Sequence, residues 1–332
     1  MAVAVALFAA ALYVALPHLV HMYVQSAVVT RAPHRGYGGG HGLVRGLVVP
    51  PFVTDDALTY IEREFVHQEG DVWIATYPKA GTHWTQTTIN ALRGYTEDNS
   101  MWKAYRRCPW LEVGLSLLPF SPQRSELNTT APRCFRGHWP RRDYFLGFPS
   151  NVKVIYVLRN AASSVESYWH HLRAAYAVYK YEAPFEVFFD EWLAGEAGFG
   201  DYFDHIASWW PVLEQPNALL IRYEEMKKSP RKVVEQIAGF LNAPANVSVD
   251  DVLAVSNFKS MRKDLVGTLE ARVLAGAGVV RLGEGEVHNW CGGAASCVRA
   301  PLVTPAMRAR LAARYDAVLK PLGVPERFIL GS

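Results

Sequence analysis

The sequence predicts an α/β fold, a central parallel β-sheet flanked by helices on both faces. Three observations predict it. Short runs rich in strand formers, at residues 72–76, 152–158 and 218–221, alternate with stretches of helical periodicity, as in sheets built from crossover units. The run at 152–158 is nearly continuous in apolar residues, as a strand covered on both faces would be. The chain has 332 residues, half of them hydrophobic, enough for one large domain with a sizeable core.

In chain order, residues 1–30 come first and carry no charged side chain. They are long and apolar enough for a membrane anchor, with Pro17 as a tolerated kink. A cleaved signal peptide, a transit peptide and a helix buried on the domain are the other readings. The lack of a positive start argues against the first, and the lack of arginine against the second. Arg31, Arg35 and Arg45 follow the segment and favour the cytosolic side for the folded domain, with a secretory lumen as the alternative. Residues 31–49, glycine-rich, read as a flexible linker, and 50–332 as the folded domain. Thr54 predicts the start of a helix running to about Phe65. Thr304 and Pro305 predict another, with Leu311, Tyr315, Val318 and Leu319 at helical spacing.

Net charge is +3 with no dense basic stretch, which argues against a nucleic-acid partner. The four cysteines, Cys108, Cys134, Cys291 and Cys297, match no zinc spacing and are too few for a disulfide scaffold. Cys291 and Cys297 could close a small loop or stay reduced. No carboxylate cluster calls for a metal.

The chemistry centres on residues 71–92. A strand ends at Thr76, the loop Tyr77-Pro78-Lys79-Ala80-Gly81 follows, and Thr82, His83 and Trp84 open a helix. Strand, small-residue loop and helix start together form a P-loop-like anion site, because free N–H groups and the helix dipole face the loop. Gly81 allows close backbone approach, Lys79 supplies a cation and Thr82 a hydroxyl. It is not a Walker A loop, since the lysine precedes the glycine. An ordinary strand-to-helix turn with a surface lysine is the plain alternative.

TYPKAGTHW resembles the 5′-phosphosulfate loop of the sulfotransferases, TYPKSGTTW. Further motifs follow in the family's order across about residues 50–323. Arg136-Gly137-His138 stands where the family has K-T-H, whose histidine is the general base; an imidazole titrating near neutrality suits that task. Arg159, at a strand's carboxyl end, and Ser167, about two helical turns later, match the family's 3′-phosphate pair. Tyr223 matches its nucleotide-contacting tyrosine. Ser256, Phe258 and Met261 match its adenine-site pattern, with Trp84 and Phe258 expected to sandwich the base. Arg281-Leu282-Gly283 stands for R-K-G over the 3′-phosphate, with a cation lost at Leu282. Residues 184–211 resemble the small-molecule branch of the family.

The resemblance thus implies sulfuryl transfer from 3′-phosphoadenosine 5′-phosphosulfate, a co-substrate, to a hydroxyl or amine of a small apolar acceptor, with no metal. The implied catalytic set is His138, Lys79 and Ser167. The implied donor set is Lys79, Ala80, Gly81, Thr82, His83, Trp84, Arg159, Ser167, Tyr223, Ser256, Phe258, Met261, Arg281 and Gly283. Trp102, Tyr105, Trp169, His170 and Tyr176 are candidate walls of an acceptor pocket, although aromatics in such segments equally serve as core cover. Ala80 loses a loop hydroxyl. His83 replaces a threonine, but an imidazole can donate the same bond and adds charge when protonated. A nucleotide kinase, a lumenal glycan or protein sulfotransferase, and a non-catalytic membrane-tethered nucleotide binder are the rival functions.

Overall fold

A computed structural model describes residues 42–50, 53–96, 106–113, 133–141, 151–174, 181–257, 260–261 and 301–331. Four strands form a parallel sheet: β3 (Val72–Thr76), β4 (Cys134–Gly137), β5 (Lys153–Leu158) and β6 (Ala218–Arg222), in the order β4-β3-β5-β6. Val72 pairs with Cys134 on one side and Lys153 on the other, so the carboxyl ends of the central strands meet at one edge. The chain leaves β3 toward β4 and then crosses to β5 on the opposite side. That reversal places a topological switch point between β3 and β5, where open α/β sheets bind ligands.

Alternation along the strands fills two cores. Trp73, Ala75, Val154, Tyr156 and Leu158 face one side, where they meet α1 (Asp55–Arg63), α3 (Ala161–Ala174), α4 (Phe185–Leu193), α5 (Tyr202–Trp209) and α9 (Pro305–Val318). Val72, Ile74, Ile155, Val157 and Ile221 face the other, against α2 (Thr82–Leu92), α6 (Tyr223–Lys228), α7 (Pro230–Leu241) and α8 (Val249–Ser256). A short α10 (Glu326–Ile329) ends the described chain. The expected caps form: Thr54 accepts from Ala57 N–H and Thr304 from Met307 N–H.

Two expectations are corrected. Part of the expected linker is folded: β1 (Gly42–Val44) and β2 (Leu47–Val49) make an antiparallel hairpin, and Val48 and Val49 are buried. Arg45 and Gly46 both take positive φ, the two-residue turn that matches hairpin twist. Arg45 then reaches Asp55 and Glu62 on α1. The glycine run masked this signal, which lies in an arginine-glycine pair between apolar doublets. The second correction concerns cysteine. Cys108 and Cys134 form a buried disulfide. Residues 1–30, Cys291 and Cys297 lie outside the described residues. No helix among the described residues is long and apolar enough to cross a membrane.

The disulfide fastens a strap along the outer edge of β4. Arg136 N–H donates to Pro109 O at 3.1 Å, and Trp110 bridges to Arg136 in parallel. At the amino ends of β3 and β4, Asp71 and Arg133 form a buried ion pair with bonds of 2.8 and 2.5 Å. Gln68 N–H also donates to Asp71.

Two stability predictions follow. The bond joins residues 26 apart, so replacing both Cys108 and Cys134 by alanine should cost about 3.5 kcal/mol through restored loop entropy, read by urea denaturation. Asp71→Ala strands a buried guanidinium and should cost roughly 3–5 kcal/mol in the same assay.

Candidate active site

The loop after β3 is held from below. Tyr77 is buried, its hydroxyl donates to Gly200 O, and its ring meets Tyr168, Trp192, Tyr202 and His205 edge-on. Above that anchor, Lys79 takes φ +68° and Gly81 φ +122°. Lys79 is a non-glycine residue in the left-handed region, a conformation that persists where surroundings impose it. A Cβ on Gly81 would lie 3.1 Å from Tyr223 and 3.3 Å from Met226 and Val157. Glycine is therefore required there by both angle and space.

α2 begins at Thr82 with no side-chain cap on its first turn. The early N–H groups lie beside Lys79 and Arg159, whose Nη1 donates to Lys79 O at 2.9 Å. Arg159 also stacks on Tyr223 at 4.4 Å, while its Nε is buried with no hydrogen-bond partner. Uncapped amides, two cations and an orphaned buried donor fit a multiply charged anion such as a phosphosulfate. Burial, and then repulsion from Arg159, brings the Lys79 ammonium down to about 8.

His138 lies at the end of β4. Its Nδ1 is 2.9 Å from Thr76 O and 3.0 Å from Thr76 Oγ1. A carbonyl oxygen can only accept, so Nδ1 carries the proton and Nε2 has the lone pair. Thr76 Oγ1 is in turn 2.6 Å from Thr82 Oγ1, the first residue of α2. One residue thus ties the imidazole to the anion loop. Burial, aided by Arg136 and Lys79, outweighs the Thr76 bond and holds His138 down at about 3, so it is neutral near pH 7. His83 is held at about 3 by burial and then by the same two cations. The charged form of His83 considered from the sequence is therefore not the one the structure favours.

Several neighbours of His138 had no clear sequence signal. Glu112, on the disulfide-fastened strap, is fully buried. Its Oε1 accepts from His138 N–H at 2.5 Å and Trp139 N–H at 2.7 Å, and Oε2 from Trp110 Nε1 at 2.6 Å. His205 Nε2 is 3.1 Å from His138 O, its Nδ1 3.0 Å from the Tyr156 hydroxyl. Phe199, at φ +69°, sets its ring 5.4 Å from that of His138, and Trp110 lies 5.0 Å away on the same imidazole. Arg136 stacks over Trp110 at 5.4 Å.

The remaining expected residues divide. Asn160 caps α3 through Ser163 N–H, and Glu224 holds Asn160. This fixes the start of the helix carrying Ser167, which is half-buried. Ala80 and Thr82 are buried in the loop, and Trp84 is half-buried on the first turn of α2. Tyr223 opens α6. Ser256 is buried at the end of α8 and donates to Val252 O, and Met261 is buried just beyond. Trp169 packs on Phe185 within the core, and its Nε1 donates to Ala183 O. His170 lies against Trp169. Its neighbour His171 is held well below its ordinary value by burial and then by Lys79 and His138. Trp102, Tyr105, Tyr176, Phe258, Arg281 and Gly283 lie outside the described residues.

Comparison with known proteins gives the family and the fold. Residues 69–320 match the family model described as the sulfotransferase domain. Human sulfotransferase 2A1 is 30% identical over 220 residues, 63% of this chain and 72% of that protein. Cytosolic sulfotransferase 5 of Arabidopsis thaliana is 28% identical over 254 residues, 70% and 77% respectively. In fold, the chain is similar to mouse sulfotransferase SULT7A1 complexed with PAP, with a TM-score of 0.63 and 20% identity, covering 84% of this chain and 95% of that one. It is also similar to retinol dehydratase in complex with androsterone and inactive cofactor PAP, at 0.64 and 20%, covering 83% and 88%. The chain belongs to the sulfotransferase family, enzymes that use 3′-phosphoadenosine 5′-phosphosulfate as co-substrate.

Proposed function

We propose that this sulfotransferase esterifies the hydroxyl of a small apolar acceptor, with His138 as general base and residues 1–30 as a membrane anchor. The observation that carries the assignment of the base is the bond from His138 Nδ1 to Thr76 O, which leaves Nε2 as the basic nitrogen beside the anion loop. A neutral imidazole held in one tautomer is ready to accept a proton. The androsterone in the retinol dehydratase complex supports a hydrophobic alcohol as acceptor class.

The co-substrate supplies an activated sulfuryl group and a nucleotide leaving group. The chain's residues do the rest. Lys79 and the first N–H groups of α2 face negative charge that grows on the departing oxygens, where preorganised donors act most strongly. Thr82 positions one hydroxyl there, its own oxygen set by Thr76. Arg159 and Ser167 hold the distal phosphate. His138 Nε2 takes the acceptor's proton as the new S–O bond forms, so the products are a sulfate ester, adenosine 3′,5′-bisphosphate and a proton. Positioning and electrostatics dominate, much as in phosphoryl transfer.

The first test incubates the full chain with radiolabelled donor and a panel of phenols, sterols, aliphatic alcohols and sugars. Label should enter the apolar alcohols. His138→Ala should lower kcat by about 10²–10⁴-fold and leave the dissociation constant of adenosine 3′,5′-bisphosphate unchanged. Turnover close to wild type would remove His138 as the base.

The pH dependence has a definite sign. Protonation removes a base, and His138 titrates at about 3 in the free protein. From pH 7.5 to 5.5, kcat/KM should therefore stay flat, whereas a base with an ordinary value near 6.5 would lose about tenfold. Lys79 loses its charge as pH rises through about 8. A bound anion favours the ammonium, so the nucleotide's dissociation constant should rise above that pH, by up to about tenfold per unit. Calorimetry between pH 7 and 9.5 reads this directly.

A further inference from the structure

Two features away from the catalytic edge point to the same compartment. The first is the Cys108–Cys134 disulfide, whose half-cystines are 0% and 1% exposed. Both belong to the core beneath α2. Such a bond closes while the chain folds, and cytosolic thiols are kept reduced at that stage, whereas the secretory lumen permits the oxidation.

The second feature is the tripeptide Asn246-Val247-Ser248, which satisfies the acceptor pattern for N-linked glycosylation. Asn246 is exposed on the turn between α7 and α8. Ser248 caps α8, its hydroxyl accepting from Asp251 N–H at 3.4 Å. Glycan transfer takes place on the entering chain, before that cap forms, so folding does not compete with it. A sugar on Asn246 would then project into solvent from the amino end of α8. Ser256 ends that eight-residue helix about 12 Å away, so the glycan stays clear of the expected nucleotide site. A second acceptor tripeptide, Asn128-Thr129-Thr130, lies outside the described residues.

The arginines after the apolar segment favour the opposite side, but one of them counts for less than the sequence implies. Arg45 is part of the β1–β2 hairpin and is bonded to Asp55 and Glu62. It is folded into the domain, which leaves Arg31 and Arg35 as the arginines that flank residues 1–30 in sequence.

We infer that the sulfotransferase domain folds in the lumen of the secretory pathway and carries an N-linked glycan on Asn246. The inference does not depend on the acceptor or on the base.

The test expresses the full chain in a eukaryotic cell and maps its peptides by mass spectrometry before and after peptide N-glycosidase. The Asn246 peptide should carry a glycan and convert to aspartate on enzymatic release. Asn246→Gln and Ser248→Ala should each remove one glycan step on a gel. Ser248→Thr keeps both hydroxyl and cap and should retain it. Without reductant, Cys108 and Cys134 should appear as one linked peptide pair and resist alkylation in denaturant. An unmodified Asn246 peptide overturns the glycan assignment, even if Asn128 is modified. Free, alkylatable Cys108 and Cys134 overturn the lumenal placement.

Discussion

The parallel pairing of β3 with β4 on one side and β5 on the other is the constraint from which the site follows. Parallel strands in register end at the same edge, so the loop after β3, the histidine after β4 and the arginine after β5 converge without any long connection reaching across. Thr76, the last residue of β3, completes the convergence. Its carbonyl fixes the His138 proton on Nδ1, and its hydroxyl sits against Thr82 at the start of the anion loop. Displacing β4 by one residue would turn His138 away from Thr76, because side chains alternate between faces.

That register needs support, since β4 lies at the edge of the described sheet. Edge strands expose unpaired backbone groups and are the easiest to displace. Here the strap at 108–113 covers the edge. The disulfide fixes its start, Pro109 O pairs with Arg136 N–H, and Glu112 collects the N–H groups of His138 and Trp139. Glu112 thus orients His138 through the backbone while Thr76 orients it through the ring. Two independent restraints on one imidazole hold Nε2 in a fixed direction.

Much of this was legible in the sequence. The strands, the uncapped start of α2, the Asn160 cap and the Thr54 and Thr304 caps follow from periodicity and local chemistry. The lysine–glycine loop and His138 were legible through ordered motifs. What was not legible depends on contacts far apart in the chain. Glu112 lies 26 residues from His138 in an irregular stretch, and nothing local marks a carboxylate that will be buried. Cys108 and Cys134 become a pair only when the strap meets β4. Trp169 and His171 are two positions apart on one helix, and which of them faces the core depends on packing against α4, not on composition. The β1–β2 hairpin was hidden by the glycines beside it.

The departures from the family pattern make sense in this electrostatic setting. A lysine at position 136 would be buried as Lys79 is, and burial has already lowered Lys79 to about 8. Arginine keeps its charge in such surroundings, because its guanidinium resists deprotonation, and Arg136 sits over the Trp110 ring. The centre therefore combines two permanent cations, Arg136 and Arg159, with one cation whose charge responds to pH, Lys79. Burial, with Arg136 and Lys79 close by, keeps His138 and His83 neutral near pH 7.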